Sequence, residues 1–457
     1  MWCGSFRLRS LTGASGRATL RLPPSPTPPM AHSRSRSAAL LGAILVVITG
    51  VITGVTGCAT ERRALVVEPI PSPTGAGAAE PFVGSVPDGS MTLSWLERAA
   101  DSSVALKLST LSADGATWST PTEIVRRTDL FVNWADFPSV VPLGEGRLLA
   151  HWLQRSGDGR YAYDVHLSES RDGGATWGES ALPHAAGVPA EHGFVTILPT
   201  GNGGANIVLL DGTAGARMND SIRASTGKAP EKGQGGAMQL GFAAWADGAV
   251  TTTRMLDPRT CDCCQTASAL TSKGPIVVYR DRSADEIRDM SVVRLENGEW
   301  TSPTPLHNDG WKIDYCPVNG PATSAIGDTV VVVWFTGAQD TSRVNVVFST
   351  DAGASFSEPV RADGGLPTGR VDVEMLSGDA ALVSWLERVG GDTAQVRARI
   401  VRRDGTLEPH VVVSPSSGAR SSGFPRMART ADGVLVAWTI PGKPSRVEVA
   451  RIRTGKR

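Results

Sequence analysis

A short motif centred on a tryptophan or another large apolar residue recurs along most of the chain. It constrains the fold more than any other feature. The strongest copies read Leu-Ser-Trp-Leu-Glu-Arg at 93–98, His-Trp-Leu-Gln-Arg at 151–155 and Val-Ser-Trp-Leu-Glu-Arg at 383–388. With the weaker copies, the equivalent central residues are Trp95, Trp152, Leu209, Tyr279, Trp334, Trp385 and Trp438. They lie 57, 57, 70, 55, 51 and 53 residues apart. Self-similarity at such a period indicates a chain built from repeated supersecondary units.

A second apolar-polar alternation follows each copy and predicts a further strand in every unit. These predicted strands are Ala105–Leu111, Tyr163–Ser168, Asp220–Ala224, Asp289–Leu295, Val344–Ser349, Ala394–Val401 and Val447–Ile452. Strands grouped in this way, without helical periodicity, predict an all-β β-propeller of four-stranded blades with seven repeats. The last unit, 423–454, lacks an obvious fourth strand, and residues 64–70 can supply it and close the ring.

A turn signature recurs at a fixed place in the units. The pattern Ser-x-Asp-x-Gly-x-Thr/Ser-aromatic stands at 170–177 and 349–356, and a copy one residue shorter stands at 112–118. Its aspartate can accept backbone N–H bonds within a hairpin turn and its glycine can take a positive φ. The signature resembles the Asp-box of the sialidase-type (BNR) propellers. That resemblance implies a structural turn away from the ligand pocket, and it makes the six-bladed sialidase architecture the alternative to seven blades.

The N-terminal region is typical of an exported protein. Arg34 and Arg36 precede an apolar run at 38–55, and Val-Thr-Gly-Cys follows at 55–58. The tetrapeptide resembles a bacterial lipobox, which implies lipidation of Cys58. A membrane-spanning anchor over 38–57 is the alternative.

These features predict four segments and a location. We expect residues 1–29 to be a disordered or spurious leader, 30–57 a lipoprotein signal peptide, 58–80 a flexible tether, and 81–457 a single propeller domain. The protein is expected outside the cytoplasm, in the cell envelope and lipid-anchored to the membrane.

Charge and composition narrow the choice of partner. Lysine and arginine number 45, as do aspartate and glutamate, so the net charge is zero. A chain without a basic excess lacks the electrostatic footprint of a nucleic-acid-binding protein. We therefore expect a carbohydrate or another small polar ligand, with the membrane reached only through the lipid anchor.

Polar residues concentrate in the loops that lead into the first strand of each unit, which lines the channel of a propeller. These loops lie at 133–138, 191–194, 261–266, 316–321, 369–372 and 423–426, and a cluster of both charges follows at 279–289. A solvated set of salt bridges is the alternative for that cluster. The predicted ligand-contacting residues are His192, Arg280, Asp281, Arg282, Arg288, Asn319, Arg370, Asp372 and Arg426.

The sialidase resemblance implies catalytic roles. Sialidases hold the substrate carboxylate with three arginines, use a Tyr–Glu pair as nucleophile and use an aspartate as acid/base. The residues matching these roles are Arg282, Arg288, Arg370 and Arg426 as carboxylate-binding arginines and Asp136 as the acid. The nucleophilic pair is Tyr163 or Tyr315 with Glu191 or Glu286. The family's Phe/Tyr-Arg-Ile/Leu-Pro motif is absent, since the nearest string, 136–139, has no arginine. The loop motifs over about 80–455 are similar to those of a bacterial group labelled exo-α-sialidase by fold.

Topology predicts where these residues meet. An Asp-box joins the third strand to the fourth, whereas an entry loop leads into the first, so the two turns lie at opposite ends of an up-and-down blade. We therefore expect one mouth of the channel, opposite the Asp-boxes, to gather Asp136, Glu191, His192, Arg282, Asn319 and Arg370.

Four cysteines fall within the predicted propeller: Cys261, Cys263, Cys264 and Cys316. Outside the cytoplasm an even set normally pairs, so disulfides are preferred, with one reaching Cys316. A thiolate site for zinc or a soft metal such as copper is the alternative. On the preferred interpretation no metal and no cofactor are expected.

Two classes of function stay open. One is a surface-anchored glycoside hydrolase or lyase acting on an acidic sugar, with Asp136 and Glu191 as the facing carboxylates. The other is a non-catalytic surface lipoprotein that binds a glycan, another ligand or a metal in the propeller mouth.

Overall fold

Seven antiparallel sheets make up the propeller. A computed structural model of the chain describes residues 65–231 and 235–455. Within these ranges five sheets have four strands, one has three and one has five. The prediction of an all-β propeller with seven units is confirmed. The leader, the signal peptide and Cys58 lie outside the described residues.

The strands follow one another blade by blade along the chain. The first strand is β1 (Val66–Ile70), and blade 1 follows with β2 (Ala78–Ser85), β3 (Met91–Arg98), β4 (Val104–Leu111) and β5 (Thr122–Arg127). Blade 2 consists of β6 (Ser139–Gly144), β7 (Arg147–Arg155) and β8 (Tyr163–Ser170), and blade 3 of β9 (His192–Pro199), β10 (Ala205–Asp211), β11 (Met238–Ala246) and β12 (Ala249–Thr260). Blade 4 consists of β13 (Ala267–Thr271), β14 (Gly274–Arg280), β15 (Met290–Glu296), β16 (Glu299–Trp300) and β17 (Thr304–His307). The remaining strands are blade 5, β18 (Ala322–Ile326), β19 (Thr329–Thr336), β20 (Arg343–Ser349) and β21 (Val360–Arg361); blade 6, β22 (Leu366–Ser377), β23 (Ala380–Gly390), β24 (Thr393–Arg402) and β25 (Val411–Ser417); and blade 7, β26 (Arg426–Thr430), β27 (Gly433–Ile440) and β28 (Arg446–Arg453).

The first strands of the blades form a closed ring. Each contacts the first strand of the next blade, in the order β2, β6, β9, β13, β18, β22, β26 and back to β2. The ring is fastened by β1, which pairs with β28 in blade 7 from Val66–Arg453 to Ile70–Val449. The predicted closing strand is therefore confirmed. The predicted tether over 58–80 is wrong where it overlaps β1 and the start of β2, since these strands belong to the propeller.

The recurring tryptophans fill the space between neighbouring blades. Trp385 of blade 6 is fully buried and packs with Val331 and Phe335 of blade 5. Trp95 of blade 1 packs in the same way with Leu435 and Val447 of blade 7. A large ring at this position buries apolar surface of both blades, which explains why the motif repeats with the blade.

Blade 3 carries the main departure from the predicted strands. Residues 220–224, predicted as a strand, lie in a helix, α1 (Thr213–Thr226), inserted between β10 and β11. Alanine, arginine and methionine at 214–218 favour the helix, which ends at Gly227 with a φ of 70°. The insertion accounts for the 70-residue spacing at this unit. Among the described residues, no helix combines the length and the apolar character that crossing a membrane requires.

The Asp-box turns at 112–118 and 349–356 join third and fourth strands, as predicted, and the turn at 170–177 follows the third strand of the three-stranded blade 2. In the turn between β20 and β21, Asp351 accepts hydrogen bonds from the Ser355 N–H at 2.9 Å, the Ser355 hydroxyl at 2.6 Å and the Ser349 hydroxyl at 2.7 Å. First and third strands of a blade run in the same direction, so these turns lie at the end opposite the entry loops.

Candidate functional site

The entry loops meet at one mouth of the channel and pack against each other. The Gln265 side chain donates to the Ala135 carbonyl and accepts from the Gly320 N–H at 2.9 Å. Trp134 stacks on Phe424 with ring centroids 5.9 Å apart. These contacts bring the entry loops together. Beneath them, a cavity of about 160 Å³ is lined by residues including Asp136, Ser139, Thr196, Ser268 and Arg426.

Three of the four predicted catalytic residues form one hydrogen-bonded group. The Tyr163 hydroxyl donates to Asp136 Oδ2 at 2.8 Å and to Glu191 Oε1 at 3.2 Å. The tyrosine ring is fully buried and stacks on Phe131 at a centroid distance of 3.9 Å. The entry loops of blades 2 and 3 supply the two carboxyl groups, and β8 supplies the tyrosine.

The local backbone is shaped around the Asp136 carboxyl group. The Phe194 N–H donates to Asp136 Oδ1 at 2.6 Å, and Phe194 holds a positive φ of 54°. A Cβ atom at Gly193 would lie 1.9 Å from Asp136 Oδ2, so only glycine fits there. Strain of this kind persists where the surrounding structure enforces it, and it is common at functional sites.

Burial sets the protonation of this group. Burial raises the pKa of Asp136 to about 7 against the opposing hydrogen bonds from Phe194 and Tyr163. Burial and then the neighbouring Asp136 raise the pKa of Glu191 to about 8. Burial, together with both carboxyl groups, raises the pKa of Tyr163 well above its usual value. Tyr163 therefore acts as a hydrogen-bond donor, which differs from the nucleophilic role that the sialidase resemblance implies.

Glu191 also lines an open cleft at the entry-loop end of blade 3. This cleft, with a volume of about 410 Å³, lies beside α1 and is lined by residues including Tyr161, Glu191, Asn219, Met238 and Asp262. Asp262 pairs with Arg282 at 2.8 Å. Asp136 lines the inner cavity instead, so the two carboxyl groups that share the cleft are Glu191 and Asp262. Sequence reasoning missed Asp262 as a site residue, although it lies in the cysteine-rich entry loop.

Two of the predicted ligand-contacting arginines cross-link the blades. Arg280 is buried and donates to the Asn319 carbonyl at 2.8 Å and the Phe335 carbonyl at 2.7 Å. Arg370 donates to the Ala419 carbonyl at 3.0 Å. The Arg370 backbone N–H donates to Asn319 Oδ1 at 2.8 Å. Burial lowers the pKa of the Arg370 guanidinium to about 10. Asn319 therefore takes part in the packing of the mouth.

The other predicted arginines are paired with carboxylates. Arg282 and Arg288 each contact Glu286 at 2.8 Å, so Glu286 does not join Tyr163. Arg426 faces Asp372 at 3.5 Å. These contacts therefore do not form the expected set of arginines around one substrate carboxylate.

The remaining predicted residues lie around the site. His192 is buried between the Tyr163 carbonyl at 3.1 Å and the Thr213 hydroxyl at 3.0 Å, and it stacks on His184. Asp281 accepts from the Arg282 N–H at 2.6 Å. Tyr315, the alternative to Tyr163, is 68% exposed.

Cys261, Cys263 and Cys264 form a cluster in the loop that contains Asp262, and Cys316 lies in the next entry loop. Cys261 Sγ lies 3.6 Å from Cys264 Sγ and 4.0 Å from Cys263 Sγ, and all four thiols are free, so the predicted disulfides are not confirmed. Burial opposes ionisation of Cys261, but hydrogen bonds from Cys263 and Cys264 and the charge of Arg288 hold its pKa well below the usual value.

The chain is a seven-bladed β-propeller, and the solved structures similar to it include sialidases. No protein-family model and no curated protein matches the chain. One similar structure is a protein of unknown function from Dyadobacter fermentans (15% identity, 86% of this chain and 98% of that chain, TM-score 0.48). Others are the phage phi92 endosialidase (10%, 86% and 69%, 0.47) and the leech intramolecular trans-sialidase complexed with 2,7-anhydro-Neu5Ac (10%, 85% and 93%, 0.46). At such identity the likeness concerns the fold alone.

Proposed function

We propose that this protein is an exported, lipid-anchored glycoside hydrolase whose active site is the cleft beside α1. The observation that carries the proposal is that Glu191, with its pKa raised to about 8, lines the same cleft as Asp262. A carboxyl group protonated at neutral pH can serve as general acid, and a second carboxylate in the same cleft can activate water or attack the sugar. Glu191 is the proposed acid and Asp262, paired with Arg282, the second carboxylate.

The buried group behind Glu191 supports this role. The Tyr163 hydroxyl bonds one Glu191 oxygen and fixes the carboxyl group at the cleft wall. Asp136, on the other side of Tyr163, helps to keep Glu191 protonated because two neighbouring carboxyl groups resist double ionisation. Tyr163 and Asp136 are positioning residues in this scheme, and neither faces the cleft.

The lining of the cleft points to a neutral sugar. None of the described residues that line it is lysine or arginine, and two are carboxylic acids. Because Arg282 is already paired with Asp262, the lining supplies no unpaired guanidinium to bind the carboxylate of an anionic sugar. Tyr161, 47% exposed, offers an aromatic face, and Asn219 offers amide donors and acceptors for hydroxyl groups. We therefore depart from the expectation of an acidic substrate and propose a neutral glycoside.

The test is turnover of a panel of neutral and sialic-acid glycosides by the wild type, Glu191→Gln and Asp262→Asn. Loss of a general acid lowers kcat by roughly 10²–10⁴-fold, and less for substrates with an activated aryl leaving group. The matched control is Glu145→Gln on an exposed turn outside the cleft. Neutral-glycoside turnover that Glu191→Gln leaves unchanged would refute the assignment, and turnover of sialosides alone would refute the substrate class.

A second candidate is a non-catalytic sugar-binding lipoprotein, favoured by the exposed ring of Tyr161 at the cleft. On this alternative, neutral glycans bind but are not cleaved, and Tyr161→Ala weakens binding measured by calorimetry. Turnover by the wild type would reject it.

Export and anchoring rest on the sequence around Cys58. The arginines at 34 and 36, the apolar run and the Val-Thr-Gly-Cys tetrapeptide support them. We expect Cys58→Ser to prevent lipid attachment, which labelling with a radioactive or clickable fatty acid measures directly. Equal labelling of Cys58→Ser and wild type would contradict the anchor.

A further inference from the structure

We infer that Cys261, Cys263, Cys264 and Cys316 hold one thiophilic metal ion of the closed-shell class, Zn²⁺ or Cu⁺. The inference does not depend on glycoside hydrolysis, because it rests on a different group of side chains.

The sulfur positions match a tetrahedral thiolate site. The sulfurs of Cys261, Cys263 and Cys264 all lie within 4.8 Å of one another, with two separations of 3.6 and 4.0 Å. Metal–sulfur bonds of about 2.3 Å in a tetrahedron place sulfurs roughly 3.8 Å apart. Three ligands are therefore already arranged at the spacing that such an ion requires.

A fourth ligand comes from the neighbouring entry loop. Cys316 lies in the loop before β18 and is exposed, and three residues later in that loop the Asn319 N–H contacts Cys264 Sγ at 3.4 Å. Cys261 and Cys264 are buried, so the proposed ion lies at the edge of the fold with Cys316 on its solvent side. Closing the site would join the entry loops of blades 4 and 5.

Hydrogen-bond donors surround the sulfurs as they do around thiolate ligands. Arg288 Nη1 contacts Cys261 Sγ at 3.3 Å, and the Asn319 N–H donates to Cys264 Sγ at 3.4 Å. Such outer contacts orient metal ligands and offset their negative charge. An all-sulfur set suits soft or borderline ions and excludes calcium and magnesium, which take oxygen ligands.

The site also connects to the cleft. Asp262 stands between two of the ligands, so an ion bound to Cys261 and Cys263 would fix the loop that presents Asp262 to the cleft. This link predicts that metal removal loosens the loop while leaving the propeller folded.

The experiment measures metal content and cysteine reactivity in the intact, purified chain. We expect about one zinc or copper ion per chain by elemental analysis. Mass spectrometry is expected to show the four cysteines protected from alkylation until a chelator is added, without any reductant. Protection that only a reductant removes, in a metal-free chain, indicates disulfides and overturns the proposal. Immediate alkylation without chelator or reductant overturns it as well.

Two variants keep the result independent of folding. Cys316→Ser changes an exposed ligand, so the chain is expected to fold and to bind metal at least tenfold more weakly. Arg288→Gln removes an outer contact, and we expect metal affinity to fall about 10–100-fold. The matched control Arg294→Gln changes an arginine on β15 whose partner is Glu296, and unchanged affinity is expected. Equal affinity in Cys316→Ser, Arg288→Gln and wild type would refute the site.

Competition with chromophoric chelators selective for Zn²⁺ or Cu⁺ then distinguishes the two ions. Tighter retention of either one supports the assigned class, whereas retention of neither contradicts it.

Discussion

The substitution Asp136→Asn should remove a pH-dependent loss of stability that the buried carboxyl group imposes. Asparagine has nearly the same shape, and its oxygen can accept the Phe194 N–H bond now made by Oδ1. Its amide can donate to the Tyr163 oxygen, whose own proton then goes to Glu191. The variant therefore keeps the hydrogen bonds and loses only the ionisable group.

The magnitude follows from the pKa of Asp136, raised by burial from 3.8 to about 7. A raised folded-state pKa means that the folded protein binds the proton more tightly than the unfolded chain. Stability is then fully present below the unfolded pKa and is lost as the pH rises through the folded pKa. Each pKa unit corresponds to about 1.36 kcal/mol, so the loss at Asp136 is roughly 2 kcal/mol at pH 5 and roughly 4 kcal/mol at pH 8.

Urea denaturation of the intact chain, followed by tryptophan fluorescence at both pH values, measures the effect. We expect Asp136→Asn to gain about 2 to 3 kcal/mol relative to wild type between pH 5 and pH 8. Asp136→Asn also removes the neighbouring charge that raises the pKa of Glu191, so the change at Glu191 adds to the gain with the same sign. The control Glu145→Gln should change stability by no more than about 0.5 kcal/mol at either pH. A gap between Asp136→Asn and wild type that is the same at both pH values would refute the reasoning.

Three further predictions concern the scaffold. Deleting residues 65–70 removes β1 and exposes the edge of β28. We expect a lower melting temperature by calorimetry and concentration-dependent aggregation by light scattering. An unchanged melting curve would contradict the closure of the ring by β1. Trp385→Ala should cost about 3–5 kcal/mol in denaturation experiments, because the ring is fully buried between blades and its N–H bonds Glu387 at 2.6 Å. Asp351→Ala should lower the free energy of unfolding by roughly 1 kcal/mol, because it removes hydrogen bonds within the turn. Ligand binding or turnover should stay unchanged, since the Asp-box lies at the end opposite the entry loops. A loss of activity at full stability would argue against that placement.

Local patterns in the sequence determined the architecture. The period of the motif around Trp95 and Trp385 predicted seven units, because each blade buries a large apolar side chain at the equivalent position. The missing fourth strand of the last unit led to residues 64–70 as the closing strand, and the Ser-x-Asp-x-Gly pattern predicted the turns. The repeated motif and the turn pattern each depend on residues close together in the chain, so the sequence alone reveals them. The helix α1 was the exception, since residues 220–224 were assigned to the strand that the repeat requires in each unit.

The site depended on contacts that only the folded chain makes. The sequence indicated Asp136, Tyr163 and Glu191 as site residues, and in the structure they are linked by hydrogen bonds. The structure also shows that Asp136 lines the inner cavity and that Asp262 lines the cleft. Arg280 was expected to contact a ligand, whereas its guanidinium bonds carbonyls 39 and 55 residues away. A buried guanidinium must find acceptors wherever the fold supplies them, and those acceptors belong to other blades. The sequence therefore determined which polar residues reach the entry loops, and tertiary packing decided which of them face a cleft and which hold the blades together.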